Sequence, residues 1–440
     1  MPQQQLITKN IQYIPTENLN PYQNNAKKHP KKQVQQIAAS IQQFGFINPI
    51  IVNSNKEIIA GHGRLEGAKV LKLKQVPVIL VDHLSDAEVR AYRLADNQLT
   101  MNTGYDNGLL KIELEELSFM ELEFDLEITG FETAQIDNII DGAFDENDPA
   151  DDVSDIDEPI NPVTQLGDVW QLGKHKLICG DSTKLDAYES LMGKDKAQAV
   201  FTDPPYNVPV DGHVCGNGKV KHKEFAMASG EMTQEQFIQF LAQFMNLSVQ
   251  FSKDGSLHYV CMDWRHIGDL IQAGEACYTE MKNICVWNKD NGGMGTLYRS
   301  KHEFVAVFKH GDKPHINNIE LGKYGRYRTN VWDYKGVNSF GKNQSDLKMH
   351  PTVKPVALIM DAIKDCTRKD HIVLDPFAGS GSTLIACEKT RRVARCIELD
   401  PVYCDVIIQR WQKLTGENAV HIESGETFEQ KREVEGEDDE

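Results

Sequence analysis

Four consecutive residues, Asp203, Pro204, Pro205 and Tyr206, place a carboxylate, a rigid backbone and an aromatic ring directly after a short apolar segment, AQAVFT. A carboxylate and a proline carbonyl can accept the two hydrogens of an amino group on an aromatic ring, which makes its nitrogen a better nucleophile. Consecutive prolines fix the backbone at this point, and Tyr206 offers a flat face for stacking a base. The same string is also common as a plain turn after a strand.

A second group of residues is typical of nucleoside binding. Residues 371–390, HIVLDPFAGSGSTLIACEKT, predict a buried parallel strand, a glycine-rich turn and a helix that begins near Ser382. Gly379 and Gly381 let the backbone approach a ligand closely, and Glu398, at the end of the next strand, is placed to bind a ribose diol. The sequence has no Gly-Lys-Ser/Thr motif, which argues against a nucleoside triphosphate.

Together these strings resemble the motifs of the amino-DNA methyltransferases, over about residues 164–415. The catalytic motif precedes the cofactor motif, which is the order of the β class. The resemblance implies an α/β fold, with a Rossmann-like core built on a twisted, mostly parallel sheet. It implies a site for S-adenosylmethionine formed by Asp181, Ser182, Lys354, Pro355, Asp375, Phe377, Gly379, Ser380, Gly381, Thr383 and Glu398.

Within that site, the resemblance assigns positions to particular residues. Asp181 is expected near the adenine of the cofactor, Lys354 and Pro355 near its methionine end, and Phe377 against the cofactor itself. The order of the two motifs along the chain is physically harmless, because ligands of open α/β sheets bind at the carboxyl ends of adjacent strands.

The predicted reaction is methyl transfer from S-adenosylmethionine to adenine N6 in double-stranded DNA, with the target base flipped out of the helix. By resemblance, the aspartate before the two prolines favours adenine, and cytosine N4 is the nearest alternative because its amino group has the same geometry. A different alternative is a DNA-binding module with an inactive methyltransferase half, although Asp203, Tyr206, Gly379 and Glu398 are intact. RNA or protein amides are more distant substrates, and small molecules the most distant.

Residues 10–100 predict a small α+β domain. Residues 31–46 have apolar residues at helical spacing and end at Gly45, and residues 49–60 and 76–84 predict strands. This region resembles the ParB-like N-terminal domains. Relatives that hold nucleotide phosphates carry a glutamate and a second arginine in the loop at 61–64, where this chain has Gly-His-Gly-Arg. We therefore predict a DNA-contacting or positioning role for this domain.

The charge distribution predicts the remaining domain boundaries. The formal charge is −18, which is unfavourable for a DNA-binding protein, but residues 141–158 hold nine acidic and no basic residues, and residues 417–440 hold ten against two. These two segments account for −17 of the −18. The predicted organisation is a ParB-like domain at 1–100, a helical connector at 101–140, an acidic linker at 141–162, a catalytic domain at 163–416 and a disordered tail at 417–440.

The predicted DNA-recognition region, residues 310–349, mixes aromatic and basic residues. Such a mixture suits phosphate neutralisation, contacts to base edges and filling of the gap left by a flipped base, although a solvated surface loop has a similar composition. The loop after Tyr206 is a second recognition candidate. The predicted DNA-contacting residues are Arg299, Lys323, Arg326 and Arg328.

The remaining sequence features predict no metal and no membrane. The nine cysteines form no close pair, and His213, Cys215 and His222 are irregularly spaced, so neither disulfides nor a metal site is expected. The N-terminus is polar, and no apolar run is long enough to cross a bilayer, so we expect a cytoplasmic protein. A homodimer and a partner restriction endonuclease would both suit the family, and no motif selects either.

Overall fold

The computed structural model describes residues 10–23, 25, 27–101, 104–120, 122, 124–141, 161–208, 228, 230–290, 292, 297–319, 328–335 and 354–437. The chain forms two compact units, Met1–Gly142 and Ala143–Glu440. The predicted acidic linker lies almost entirely outside the described residues. Within the part of the chain that the model describes, no helix is both long and apolar enough to cross a membrane.

The first unit contains a four-stranded sheet of mixed direction, in the order β1-β4-β2-β3. Its apolar core includes Ile50, Val52, Ile58 and Val78. As predicted, the first helix ends at Gly45, which adopts a left-handed φ of 82°. The elements are β1 (Ile11–Pro15), α1 (Lys31–Phe44), β2 (Ile50–Val52), β3 (Ile58–Ala60), α2 (His62–Val70), β4 (Gln75–Leu80) and α3 (Asp86–Met101).

The region predicted as a helical connector, residues 101–140, is helical and has its own apolar core. It contains α4 (Asn107–Phe119) and α5 (Thr133–Asp141), and the buried side chains of Leu114, Leu126 and Ile136 pack together between them. These helices therefore pack together instead of forming an extended connector. The apolar residues are spaced among many glutamates, so the composition of the segment conceals an amphipathic pattern.

The second unit is built on a ten-stranded sheet among the described residues, in the order β11-β9-β10-β8-β7-β12-β13-β6-β5-β14. The five central strands from β8 to β6 run parallel, and β10 is antiparallel to both of its neighbours. The strands are β5 (Val169–Leu172), β6 (His175–Cys179), β7 (Ala197–Thr202), β8 (Ser252–Met262), β9 (Glu280–Asn288), β10 (His302–Lys309), β11 (Val331–Asp333), β12 (Ile372–Asp375), β13 (Val393–Glu398) and β14 (Val420–His421).

Helices cover both faces of this sheet. In β7 every residue is buried, and Ala199 and Phe201 belong to a different apolar cluster from Val200 between them. Because successive side chains of a strand point to opposite faces, the strand must be covered on both sides. The helices are α6 (Leu185–Met192), α7 (Gln234–Gln250), α8 (Ile267–Cys277), α9 (Val356–Cys366), α10 (Ser382–Thr390), α11 (Pro401–Thr415) and α12 (Phe428–Glu437).

The predicted α/β class with a mostly parallel sheet is confirmed, and its strand order contains a switch point. From β7 the chain continues to β8 on one side, whereas from β12 it continues to β13 on the other side. Ligands of open α/β sheets bind where the strand order reverses in this way, beyond the carboxyl ends of the strands. Asp203 follows β7 and Asp375 ends β12 at this point.

The expectation of a disordered acidic tail was wrong for most of its length. Residues 420–421 form β14, which pairs antiparallel with β5, and α12 follows. Phe428 is buried, with its ring 5.6 Å from that of Trp170, and the His421 ring also contacts Trp170. A few apolar side chains thus hold an acidic segment against the core, which average composition does not reveal.

We expect Phe428→Ala to lower the free energy of unfolding by about 3–5 kcal/mol, because it removes a fully buried ring and leaves a cavity. Urea denaturation followed by circular dichroism measures this difference. The matched control is Ile422→Ala, since Ile422 in the same segment is 47% exposed and its truncation should cost far less. Equal stabilities of the two variants would mean that the segment does not pack as described.

Candidate active site

The segment after β7 holds its aspartate and tyrosine in direct contact. The hydroxyl of Tyr206 donates to Oδ1 of Asp203 at 2.5 Å. The next residue, Asn207, has a left-handed φ of 54°, and its side-chain amide bonds to the backbone of Gly230 and Met232. These bonds fasten the turn at its far end, so Asp203 and Tyr206 are held in a defined position.

Two lysines and a glutamate complete a charged cluster with Asp203. The Nζ of Lys354 lies 2.5 Å from Oδ2 of Asp203, 2.9 Å from Oε2 of Glu303 and 3.3 Å from the hydroxyl of Tyr206. Lys289 pairs with the other oxygen of Glu303. Lys354 is 5% exposed, so this is a buried pairing of two cations with two anions. Burying charges is unfavourable unless they are paired in this way.

The cluster shifts the pKa of each of its members. Burial raises the pKa of Asp203, the Lys354 ammonium opposes this increase, and the charge of Glu303 adds to it. For Glu303, burial would also raise the pKa, but Lys354 and Lys289 together lower it to about 2. Burial would lower the pKa of Lys354, yet the two carboxylates raise it above its usual value. Asp203 is therefore the more basic of the two carboxylates.

The glycine-rich turn after β12 is held by the carboxylate of Glu398. The backbone N–H of Gly379 donates to Oε2 of Glu398 at 2.7 Å, and the N–H groups of Leu399 and Asp400 donate to Oε1. Gly379 and Gly381 have left-handed φ values of 53° and 84°. A Cβ on Gly381 would lie 2.9 Å from Ile407, so the turn requires glycine there.

Two buried side chains, Asp375 and Arg410, form hydrogen bonds with the backbone of this turn. Asp375 accepts from the backbone N–H of Phe377 at 3.1 Å, and burial raises its pKa to about 6. Arg410 on α11 donates to the carbonyl of Ser380 at 3.0 Å. Ser380 and Thr383 are themselves buried, whereas the ring of Phe377 packs on Phe240 and Phe244 of α7.

The predicted cofactor residues on β6 and β13 lie side by side. These strands are parallel, Cys179 is paired with Glu398, and Asp181 and Ser182 follow directly after β6. Oδ1 of Asp181 accepts from the backbone N–H and the hydroxyl of Thr183. The structure thus brings the predicted acids to the ends of four adjacent parallel strands, in the order Asp203, Asp375, Glu398 and Asp181. Pro355 follows Lys354 and caps α9.

Of the predicted DNA-contacting residues, Arg328 is bonded to acids of its own unit. Arg328 is half-buried and forms ion pairs with Asp361 and Asp365 of α9 at 3.2 and 3.1 Å. These bonds engage Nε and Nη1 of the guanidinium and tie residues 328–335 to the helix, and a DNA contact by Arg328 stays a prediction. Arg299 lies in an exposed loop between β9 and β10, where it bonds to the carbonyl of Gly292. Lys323 and Arg326 lie outside the described residues.

The different surroundings of Arg299 and Arg328 predict that one substitution changes DNA binding and the other changes stability. We expect Arg299→Ala to weaken DNA binding and to reduce the slope of log affinity against log salt by about one, as loss of one phosphate contact does. Arg328→Met should leave that slope unchanged and instead lower the free energy of unfolding, because Asp361 and Asp365 lose a buried partner. Fluorescence anisotropy across a salt series and urea denaturation separate the two effects. A reduced salt slope for Arg328→Met would restore its predicted DNA contact.

No cluster that could hold a metal ion occurs among the residues that the model describes. His213, Cys215 and His222 fall outside those residues. All eight described cysteines are unpaired thiols, and seven of them are buried.

The sequence analysis missed Glu303, Lys289, Asn207 and Arg410. Glu303 is a single acid directly before the apolar run FVAVF of β10, and a charged residue in such a strand is a sign of a buried functional pairing. Lys289 and Arg410 carry no comparable sign, because their partners lie on distant segments of the chain.

Comparisons with known proteins agree with this geometry. A family model described as DNA methylase matches residues 197–410, and one described as the ParB N-terminal domain matches residues 1–98. A putative methylase of Escherichia coli, YubD, is 46% identical over 200 residues, which are 46% of this chain and 75% of that protein. The chain belongs to the N6/N4 DNA methylase family.

Other relatives of this DNA methylase match its two halves separately. The ParB-like nuclease domain-containing protein YnaK of Escherichia coli is 46% identical over 78 residues, 18% of this chain and 90% of that protein. The type II methyltransferase M2.MboI of Moraxella bovis is 26% identical over 223 residues, 49% and 81% of the two chains. The solved complex of M1.HpyAVI with SAM aligns with a TM-score of 0.40 and 20% identity, covering 53% of this chain and 97% of that one.

A third family model matches the region between the ParB-like and DNA methylase matches. A ParB-methyltransferase helix-turn-helix domain matches residues 108–166, which were predicted as a connector and a linker. The packed helices α4 and α5 fall within this match. A helix-turn-helix domain fused to a DNA methylase implies DNA binding.

Proposed function

We propose that this DNA methylase transfers a methyl group from S-adenosylmethionine to N6 of adenine in double-stranded DNA. The observation that carries the proposal is the adjacency of two sites at the strand-order switch. The carboxylate of Asp203 follows β7, and the glycine-rich turn held by Glu398 follows β12, the next strand of the sheet. A nucleophile held at the first site would face a ligand held at the second.

The turn after β12 has the features that a nucleoside ligand needs. Gly379 and Gly381 expose backbone at their left-handed positions, and Glu398 is a partly exposed carboxylate with acceptor capacity beyond its three backbone bonds. In the proposal Glu398 holds the ribose, Asp181 and Ser182 lie at the adenine, and Phe377, Lys354 and Pro355 line the remainder. S-adenosylmethionine supplies an electrophilic methyl group on a sulfonium sulfur.

Asp203 and the carbonyl of Pro204 would accept the two N–H groups of the target amine. This arrangement stabilises the positive charge that develops on nitrogen as it forms a bond to carbon. Asp203 is also the more basic carboxylate of its cluster, so it can take the proton that the methylated nitrogen loses. Because these groups lie beyond the ends of buried strands, the target base must leave the helix to reach them.

Cytosine N4 is the second candidate target. Its amino group presents the same two hydrogens to Asp203 and Pro204, so the described geometry accommodates either base. Adenine is preferred because the motif begins with aspartate rather than serine, as in the adenine-N6 enzymes that the sequence resembles.

Mass spectrometry of the reaction product tests the proposal. Purified protein is incubated with unmethylated duplex DNA and S-adenosylmethionine, the DNA is digested to nucleosides, and the methylated nucleosides are identified. N6-methyladenine from the wild-type protein, and its absence with Asp203→Ala, is the expected result. N4-methylcytosine would change the target base and keep the mechanism. DNA binding without any methylated product would favour an inactive DNA-binding module.

We further propose that the first unit strengthens DNA binding or selects the site. Its ParB-like domain and the matched helix-turn-helix segment support this role. Removal of residues 1–142 is expected to weaken DNA binding and to relax site choice, while methylation of DNA at saturating concentration persists. Anisotropy titrations and sequencing of methylated sites measure both effects, and unchanged affinity together with unchanged sites would remove this role.

A further inference from the structure

Both carboxylate oxygens of Asp203 are already occupied in the described structure. Tyr206 donates to Oδ1, and the Lys354 ammonium lies against Oδ2. If Asp203 accepts an N–H of the target base at Oδ2, that N–H competes with the Lys354 ammonium for the same oxygen. A buried ammonium that lost its only anion would be strongly destabilised. Lys354, however, has a second anion 2.9 Å away, Oε2 of Glu303.

We propose that Glu303 is a positioning residue. When the target base binds, the Lys354 ammonium leaves Asp203 and keeps its ion pair with Glu303, so that Asp203 can accept an N–H of the target amino group. The proposal rests on the proposed function, since it concerns the same carboxylate. The exchange is one of hydrogen bonds alone: the base N–H replaces the ammonium N–H on Oδ2, and no proton or covalent bond is transferred.

Lys289 sets the strength with which Glu303 competes for Lys354. It pairs with the far oxygen of Glu303, and its ammonium lies 4.5 Å from the centre of the Trp287 ring. Lys289 neutralises part of the charge on Glu303. The attraction between Glu303 and Lys354 is thereby weakened, and Lys354 can also pair with Asp203. The cluster therefore shares one ammonium between the two carboxylates of Asp203 and Glu303.

Titratable groups from every neighbouring element face Asp203. Lys354 precedes α9, Glu303 lies on β10, Tyr206 is in the same turn, Cys261 is on β8 and Asp375 is at the end of β12. Burial raises the pKa of the Cys261 thiol well above its usual value, so that group stays neutral. The charges that act most strongly on the pKa of Asp203 are those of Lys354 and Glu303, and Asp375 is a more distant acid.

The proposal predicts shifts of opposite sign in the pH dependence of methylation. In Glu303→Gln, Lys354 binds Asp203 alone, so the acid limb of the kcat/KM profile moves to lower pH and the plateau kcat falls roughly tenfold. In Lys354→Met, Asp203 faces Glu303 with no cation between them, so the acid limb moves to higher pH and activity at pH 6 falls roughly tenfold or more. Lys289→Met should shift the limb in the same direction as Lys354→Met, by less.

Steady-state methylation of a duplex by the full-length chain between pH 5 and pH 9 measures these profiles. The matched control is Glu280→Gln, which removes an exposed acid paired with Lys282 at the opposite end of β9 and should leave the profile unchanged. Circular dichroism and cofactor titration verify folding of each variant. Because Lys354→Met removes a buried cation and can fail to fold, Glu303→Gln and Lys289→Met provide the comparison by themselves.

Shifts of opposite sign for Glu303→Gln and the lysine variants would support the proposal. Profiles that coincide with the wild type, or that shift in one direction for all variants, would overturn it. If the wild-type protein itself yields no methylated base, the proposed function fails; if the wild type is active and only the opposite shifts are missing, the role of Glu303 alone is rejected.

Discussion

Asp203→Asn is expected to lower the single-turnover rate of methyl transfer by roughly 10²–10³-fold, since one preorganised group at the reacting atom contributes about this much. The amide keeps the size of the side chain but replaces an acceptor by a donor. It therefore cannot accept both an N–H of the base and the hydroxyl of Tyr206. Transfer of a labelled methyl group to DNA, with enzyme in excess, measures the rate of the chemical step directly.

Two controls restrict this result to the chemical step. Cofactor titration and DNA binding by the variant should stay close to those of the wild type, because Asp203 forms no hydrogen bond with the turn held by Glu398 among the described contacts. Asp263→Asn is a matched substitution: Asp263 follows the neighbouring strand β8 and pairs with Arg265 rather than with the cluster. Equal rates for Asp203→Asn and wild type would remove Asp203 from the mechanism.

Glu398→Gln is expected to weaken binding of S-adenosylmethionine by roughly 10–100-fold, the cost of losing a charged hydrogen-bond acceptor in a buried site. The glutamine oxygen can still accept from Leu399 and Asp400, so the change in backbone bonding is confined to the one bond from Gly379, which the side-chain NH2 cannot accept. Isothermal titration calorimetry gives the dissociation constant. Glu417→Gln, an exposed acid on the same unit, serves as the control and should bind the cofactor normally.

The pH dependence of cofactor binding adds a second test of Glu398. Burial raises its pKa to about 7, although three backbone N–H groups oppose the increase. The carboxyl is thus largely protonated below pH 7 in the free protein, and a carboxylate accepts from ribose hydroxyls better than a carboxylic acid does. Binding should therefore strengthen as the pH rises from 6 to 8 and release protons near pH 7. In Glu398→Gln this dependence should disappear, and its persistence would assign the titration to another group.

The sequence predicted the parts of the site that are local in the chain. Three segments were predicted close to their observed bounds. They are the strand before Asp203, the strand that ends at Asp375 with the turn up to Gly381, and the helix that begins at Ser382. Each of these segments has a strong signature of its own, an apolar run followed by proline or glycine. The strand signature also predicts the edge of the sheet where these residues meet.

The parts that were not predicted depend on pairings between distant segments. Glu303 reaches Asp203 only because β10 is inserted antiparallel beside β8, and Arg328 is neutralised by two acids on one face of α9. Both outcomes depend on tertiary packing, which composition and periodicity do not encode. The ordered tail was missed for a related reason, since one buried phenylalanine outweighs many solvated glutamates.

The sheet order has a consequence for how the protein is made. β7 pairs with β12 through Ala199 and Val373, yet β12 lies far downstream in the chain. During synthesis β7 therefore leaves the ribosome with the backbone groups of one edge unpaired. Folding is slow because the strand that pairs with this edge is distant in the sequence. Until β12 pairs with β7, the nascent chain has Asp203 but no glycine-rich turn beside it. Nascent chains that stop before β12 should thus be inactive and prone to aggregation, and a chaperone that shields this edge should raise the yield of folded protein.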